Sequence, residues 1–166
     1  MRKLLLIVFS FMIITSLIAC GDQNNIPSEI LPQPEQEEED NSSGDTVKNM
    51  KIQIIINSTK FIAILQDNAT AKAFKALLPM TIDMNELNHN EKYYDLSNIL
   101  PAAAINPETI HNGDITLYGS RTLVLFYKTF STPYSYTKIG NIENTSGLEA
   151  TLGGGKVTVT FEELQE

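Results

Sequence analysis

Gly113-Asp114-Ile115-Thr116-Leu117-Tyr118-Gly119-Ser120-Arg121-Thr122-Leu123-Val124-Leu125-Phe126-Tyr127 is the stretch whose reading decides the fold. Two runs rich in β-branched and aromatic residues flank a short Gly-Ser-Arg connection, which predicts a β-hairpin with Arg121 in its turn. Side chains alternate across a strand, so Leu123, Leu125 and Tyr127 share one face and Thr122, Val124 and Phe126 the other. Both faces are largely apolar, and such a strand needs cover on both sides, as in a barrel or sandwich.

On the C-terminal side comes an aromatic loop, Phe130-Ser131-Thr132-Pro133-Tyr134-Ser135-Tyr136, and then a strand predicted over 136–142. Ser146-Gly147-Leu148-Glu149 fits a capping box, opening a helix of two turns that stops at Gly153-Gly154-Gly155. The three glycines follow a helix and lack a lysine-serine ending, so they read as a helix stop, not a phosphate loop. Val157, Val159 and Phe161 then alternate with Thr158 and Thr160 in a last strand.

On the N-terminal side, residues 51–56 and 60–65 predict two strands about an Asn57-Ser58-Thr59 turn. A helix follows, capped by Asp67 or Asn68, with Ala71, Phe74, Leu77 and Leu78 at helical spacing and Pro79 closing it. Residues 81–87 and 91–96 predict two more strands around Asn88-His89-Asn90, with Tyr93 and Asp95 pointing one way and Tyr94 and Leu96 the other. The pattern fades over 97–112, which predicts a long loop draped over the barrel as a lid or rim. Seven or eight strands, two short helices and no βαβ rhythm place the chain among mostly β, antiparallel barrels.

Asn68, Thr70-Ala71 and Phe74 ahead of Leu77-Leu78-Pro79, Glu91-Lys92 before Leu96, Gly113-Asp114-Ile115, Leu125-Phe126-Tyr127 and Lys138-Ile139-Gly140-Asn141-Ile142 occur in an order and spacing that resemble the bacterial cyclophilin-like domains. The resemblance implies an eight-stranded barrel with helices capping its ends, and no assigned reaction. Cyclophilins themselves isomerise X–Pro bonds with an arginine in a Phe-His-Arg run beside an apolar pocket. This chain has no such run, and Arg121 is the one arginine after Arg2. A prolyl isomerase or envelope folding factor is therefore the runner-up function, and a structural subunit of an envelope complex the third.

The chain opens with Arg2 and Lys3 and an apolar run over 4–18, short for a membrane span and of signal-peptide length. Leu17-Ile18-Ala19-Cys20-Gly21 looks like a bacterial lipobox, so residues 1–19 are expected to be a lipoprotein signal peptide and Cys20 the lipidated residue. As the only cysteine, Cys20 excludes an internal disulfide or a thiolate metal cluster. Residues 20–49 carry eight acids against one lysine and little to bury, which predicts a disordered acidic tether. Residues 50–166, the expected barrel domain, carry twelve acids against nine bases. Nothing there is basic enough for nucleic acid, and anionic headgroups would repel the chain, so acyl groups must hold it at the membrane. The expected location is the bacterial envelope, on the outer membrane because Gly21 offers no retention signal, facing the periplasm or the surface.

No residue is assigned a catalytic role. His111 and Asp114 near Ser120 contain the elements of a triad, but the run reads more simply as a turn into a strand, with Gly113 at positive φ and Asp114 making an Asx contact. His89, between two asparagines, reads as a solvated turn residue, and the two histidines lack metal-ligand spacing. The aromatic set carries more chemistry. Tyr118, Phe126, Tyr127, Phe130, Tyr134 and Tyr136 fall within 19 residues, and with Glu91 or Glu86 and Arg121 they are the candidate ligand-binding residues. The expected function is a non-catalytic, monomeric binding module for a peptide or small molecule, without cofactor or metal.

Overall fold

The computed structural model describes residues 50–164; the expected signal peptide, Cys20 and the whole of the tether lie outside the described residues. Short side chains that tolerate positive φ set the first registers. Asn57 and Ser58, at φ 46° and 69°, join β1 (Lys51–Ile56) to β2 (Thr59–Leu65) in the two-residue turn that matches strand twist. Asn88 and His89, at φ 55° and 57°, begin the turn from β3 (Met80–Leu87) to β4 (Glu91–Asp95). Between these hairpins α1 (Ala69–Lys75) starts at Asn68, whose side chain accepts from the Ala71 N–H at 2.8 Å. Phe74, fully buried, meets Phe161 edge-on at 5.5 Å, so α1 plugs one end of the barrel.

The deciding hairpin forms as β6 (Asp114–Tyr118) and β7 (Thr122–Phe126), with Gly119, Ser120 and Arg121 in its turn. Gly113, at φ 93°, begins β6, where any Cβ would fall 2.6 Å from the Thr145 methyl. Strand β9 (Thr137–Ile142) pairs with β6 and β2, and Gly140 lets them approach: a Cβ there would lie 2.5 Å from the Ile64 carbonyl oxygen. With β10 (Val157–Glu163) the strands close in the order β1-β10-β3-β4-β7-β6-β9-β2, every pair antiparallel. This is the eight-stranded antiparallel barrel that the alternation pattern and the resemblance predict.

The second helix, α2 (Leu148–Leu152), departs from its prediction. It has no capping box: its N-cap is Gly147 at φ 78°, with no side-chain bond to the helix start. The Ser146 N–H is turned to Asn144 Oδ1 at 2.9 Å, and Glu149 reaches out to Lys128 at 3.2 Å. The tight turn at 144–147 needs a left-handed residue at the cap, which glycine supplies and serine would resist. Leu148 and Leu152 still bury their side chains in the core, at the barrel end opposite α1.

Strand β7 separates two cores, as its two apolar faces require. Leu123 and Leu125 point into the barrel with Ile52, Ile54, Ile115 and Phe161. Val124 and Phe126 point outward into a second cluster with Ile110 and Tyr136. The segment 97–112 covers that cluster, and it is stitched in place. Its β5 (Thr109–Ile110) pairs with β8 (Phe130–Ser131), Ile105 bridges Tyr136, and the Ala103 N–H bonds Thr137 Oγ1 at 2.9 Å. The expected lid is thus a hydrogen-bonded flap.

A charged pair, Lys92 and Glu86, faces the barrel interior. Lys92 is fully buried; its ammonium donates to the carbonyls of Gly153 (2.8 Å) and Gly155 (2.6 Å) and pairs with Glu86. The Tyr127 hydroxyl donates to the other Glu86 oxygen at 2.8 Å, and the Lys92 ammonium sits 5.6 Å from the Tyr127 ring centre. Burial alone would raise the Glu86 carboxyl, but the bonds from Lys92 and Tyr127 and the Lys92 charge outweigh it and hold it below its usual range. Removing one member of such a buried pair strands the other, so Lys92→Met is expected to destabilise the domain by about 3–5 kcal/mol. The exposed pair Lys72–Asp67 is the control: in urea titrations Lys72→Met should leave the midpoint nearly unchanged. Equal midpoint losses for the two variants would refute the latch.

Candidate functional site

The outward face of β4 supplies the floor of a cleft. Strand alternation turns Glu91, Tyr93 and Asp95 away from the barrel interior, and register sets them opposite Phe126, Val124 and Thr122 of β7. Tyr118 at the end of β6 forms one side, and Tyr134 and Tyr136 rise from the 130–136 loop. Leu87 and Asn88 of the β3–β4 turn close the end next to Glu91. The cleft holds about 400 Å³, within the range of small-ligand sites.

Its wall is a chain of rings. Tyr118 meets Tyr134 edge-on at 6.3 Å and Tyr136 at 5.6 Å. Tyr136 meets Phe126 edge-on at 5.5 Å, and Phe126 meets Phe130 at 5.6 Å. The buried members, Phe126 and Tyr136, belong to the second core, and that anchorage holds Tyr118 (48% exposed) and Tyr134 (59% exposed) in place. Offset and edge contacts of this kind are worth about 0.5–1.5 kcal/mol each beyond the area they bury.

Glu91 is the chemical exception in this wall. It is only 9% exposed, and among the described residues no protein group donates to its carboxylate, whose oxygens keep only a narrow contact with solvent. Burial, then the charge of Glu86, pushes its pKa up to about 6. Burial, with Glu91 nearby, raises the Tyr136 hydroxyl as well. Asp95, at the other end of the cleft, accepts from the Thr122 hydroxyl at 2.6 Å. The arrangement can pair with a positive group, exchange a proton near neutrality and stack an apolar body on tyrosine. Among the described residues no group of three or more His, Cys, Asp or Glu is placed to hold a metal.

Six of the predicted binding residues converge here. Glu91, Tyr118, Tyr134 and Tyr136 line the cleft, and Phe126 supports it from behind with Phe130 packed against it. Tyr127 and Arg121 are elsewhere. Tyr127 turns into the barrel onto Glu86, so Glu86 and Glu91 lie on opposite faces of the β3–β4 hairpin. Arg121 is exposed in the hairpin turn, its Nε donating to the Leu96 carbonyl at 3.1 Å. His111 and Ser120 lie at opposite ends of β6, too far apart for a triad, and the His111 N–H bonds Asp114 Oδ2 at 3.0 Å in the expected Asx contact. Tyr93, Asp95, Thr122 and Leu87 join the lining without having been singled out as ligand residues; the period-two patterns of 81–87, 91–96 and 122–127 are their sequence signal.

Residues 54–162 match the model of the Cyclophilin-like family. The chain belongs to that family. No curated protein matches it at a significant level. Among solved structures, McbB in complex with tryptophan is similar to this cyclophilin-like chain with a TM-score of 0.56 at 16% identity, over 69% of this chain and 45% of McbB. The chain therefore spans less than half the length of McbB. The solution structure of the hypothetical protein AF2241 from Archaeoglobus fulgidus gives a TM-score of 0.50 at 19% identity, over 73% of this chain and 99% of that one. At these identities the likenesses speak for the fold alone.

Glu91 also makes a prediction about stability. Its pKa is raised in the fold from 4.5 to about 6, so its favourable contribution is full below 4.5, is lost as pH rises through 6, and is absent at neutrality. Relative to the wild type, Glu91→Gln should therefore gain about 1–2 kcal/mol between pH 4 and pH 7.5. Denaturation curves at the two pH values check this; a difference that does not change with pH would refute the buried, unpaired carboxylate.

Proposed function

We propose that this protein is a lipid-anchored envelope module whose cyclophilin-like barrel binds a small molecule or peptide segment in the cleft between β4, β7 and the 130–136 loop. The observation that supports the reading is Glu91, a buried carboxylate with no partner among the described residues, facing a preorganised tyrosine wall. A packing surface has no use for such a group, since an ionised carboxylate in apolar surroundings costs stability. Aromatic faces with one fixed charge are, by contrast, what a site uses to hold and orient a ligand. McbB, similar in fold over less than half of its length, was solved in complex with tryptophan, and an aromatic compound is accordingly among the ligands to try.

Anchoring through Cys20 fits this role. Diacylglycerol on that thiol would hold the chain at the membrane, and the acidic residues 20–49 would space the barrel from a surface of like charge. Binding at the end of such a leash raises local concentration near the membrane without any reaction at the site.

Two measurements test the proposal. Mass spectrometry and membrane fractionation of the full chain made in a bacterial host should find Cys20 diacylated, and Cys20→Ala should move the protein to the soluble fraction. An unmodified Cys20 in membrane-free protein would defeat the anchor. Saturation-transfer NMR with a fragment set of neutral, anionic and cationic aromatics should give hits that Tyr134→Ala weakens at least fivefold. Hits indifferent to Tyr134→Ala would defeat the cleft.

A further inference from the structure

The lining of the cleft is one-sided in charge. Among its described residues two are carboxylates, Glu91 and Asp95, and none is basic. Two cations adjoin the lining in sequence and both are engaged: Lys92 inside the barrel with Glu86 and the carbonyls of Gly153 and Gly155, and Arg121 in the hairpin turn with the Leu96 carbonyl. The two acids are not equivalent. Asp95 is exposed and already accepts from Thr122, whereas Glu91 is nine-tenths buried and lacks a donor. A neutral apolar ligand would leave Glu91 unsatisfied and drier still, and an anion would meet it head-on. A ligand with an N–H donor carrying positive charge would supply the missing partner, in the stronger class of hydrogen bond.

The tyrosines favour the same chemistry. The faces of aromatic rings are negative, and a cation within about 6 Å of a ring centre is attracted to it. Tyr118 and Tyr134 stand edge to face at 6.3 Å and are about half exposed, so ring surface remains free toward the cleft. Their wall and the floor of Tyr93 and Val124 suit the hydrocarbon body attached to such a cation.

Resting on the binding reading above, we propose that the cleft is a site for an organic cation, an ammonium group seated on Glu91 with its apolar body against Tyr118 and Tyr134. A free amine and the lysine side chain of a peptide share this chemistry. The groups that bear on Glu91 are Glu86 of β3 from the barrel side and the hydroxyls of Tyr136 and Tyr127 from the segments flanking β8, while Asp95 stands at the far end of the cleft and Lys92 faces inward onto Glu86. With Lys92 held by Glu86 on the inner face, acidification acts on the cleft through loss of the Glu91 negative charge.

The test uses the full chain in detergent micelles, its cleft resonances followed by NMR during titration with three probes: phenethylammonium, its neutral counterpart 2-phenylethanol, and N-acetyl-lysinamide. At pH 7.5 at least one cationic probe should bind about tenfold or more tightly than 2-phenylethanol, and Glu91→Gln should remove that advantage. Whichever cation binds more tightly identifies the source, a free aryl amine or a peptide lysine. With the carboxyl titrating near 6, cation affinity should fall about tenfold from pH 7.5 to pH 5 in the wild type and stay flat in Glu91→Gln. Tyr134→Ala should weaken the cations while costing only the small stability of its one edge contact with Tyr118. Equal binding of 2-phenylethanol and the cations, or undiminished cation binding by Glu91→Gln, would overturn the assignment and leave the cleft as a neutral binding site. Failure of all three probes would also overturn it, and the binding module would then rest on the fragment screen alone.

Discussion

Val124 and Phe126 face outward from a barrel wall and have to be kept from water, and much of the molecule outside the barrel is arranged around that requirement. Two buried side chains of this size are worth about 3–6 kcal/mol together if they stay dry. The protein keeps them dry with segments 97–112 and 130–136, which pair with each other through β5 and β8 and through the Ile105–Tyr136 bridge, and reach the start of β9 through the Ala103–Thr137 bond. Because the flap carries backbone pairing of its own, it is rigid enough to present side chains at fixed positions. The cleft lies at the border of this second core, where the cover ends and Tyr118 and Tyr134 emerge.

The barrel interior offers no comparable room. An eight-stranded barrel is just wide enough for its own side chains to fill, and here Ile52, Ile54, Ile56, Leu123, Leu125 and Phe161 are all fully buried within it. Phe74 on α1 and Leu148 and Leu152 on α2 close the two ends. On the binding reading proposed above, a ligand would sit on the outer wall, where strand register spaces the side chains and the connecting loops vary the chemistry.

How far this was legible follows from period two. Alternation in 122–127 foretells both cores, and the turn residues at 57–58, 88–90 and 119–121 foretell three hairpins, because each signal is local. The cap of α2 was not legible: Ser146 and Glu149 have the right types and spacing, but the partner that captures Glu149 is Lys128, far off in sequence. Grouping Tyr127 with Tyr134 fails for a different reason. Proximity in the chain was weighed above face, although the same alternation that turns Leu123 and Leu125 inward turns Tyr127 with them. Barrel closure does the rest, since only the pairing of β4 with β7 brings Glu91 to the Tyr118 side of the wall.

The same hairpin geometry explains why two neighbouring glutamates behave in opposite ways. Glu86 points inward, where Lys92 and Tyr127 donate to it and stabilise its charge. Glu91 points outward into the cleft, where burial raises it and the fixed charge of Glu86 raises it further. Had Lys92 been placed on the outer face, it would neutralise Glu91 and fill the cleft with its own stem. Its confinement inside, against two carbonyls of the glycine stop after α2, leaves the outer carboxylate without a protein partner. Interior latch and exterior acid are thus two consequences of one alternation, since neighbouring residues on a strand must face opposite ways. The residue that locks the barrel end is, for that reason, a nearby cation that cannot satisfy the cleft.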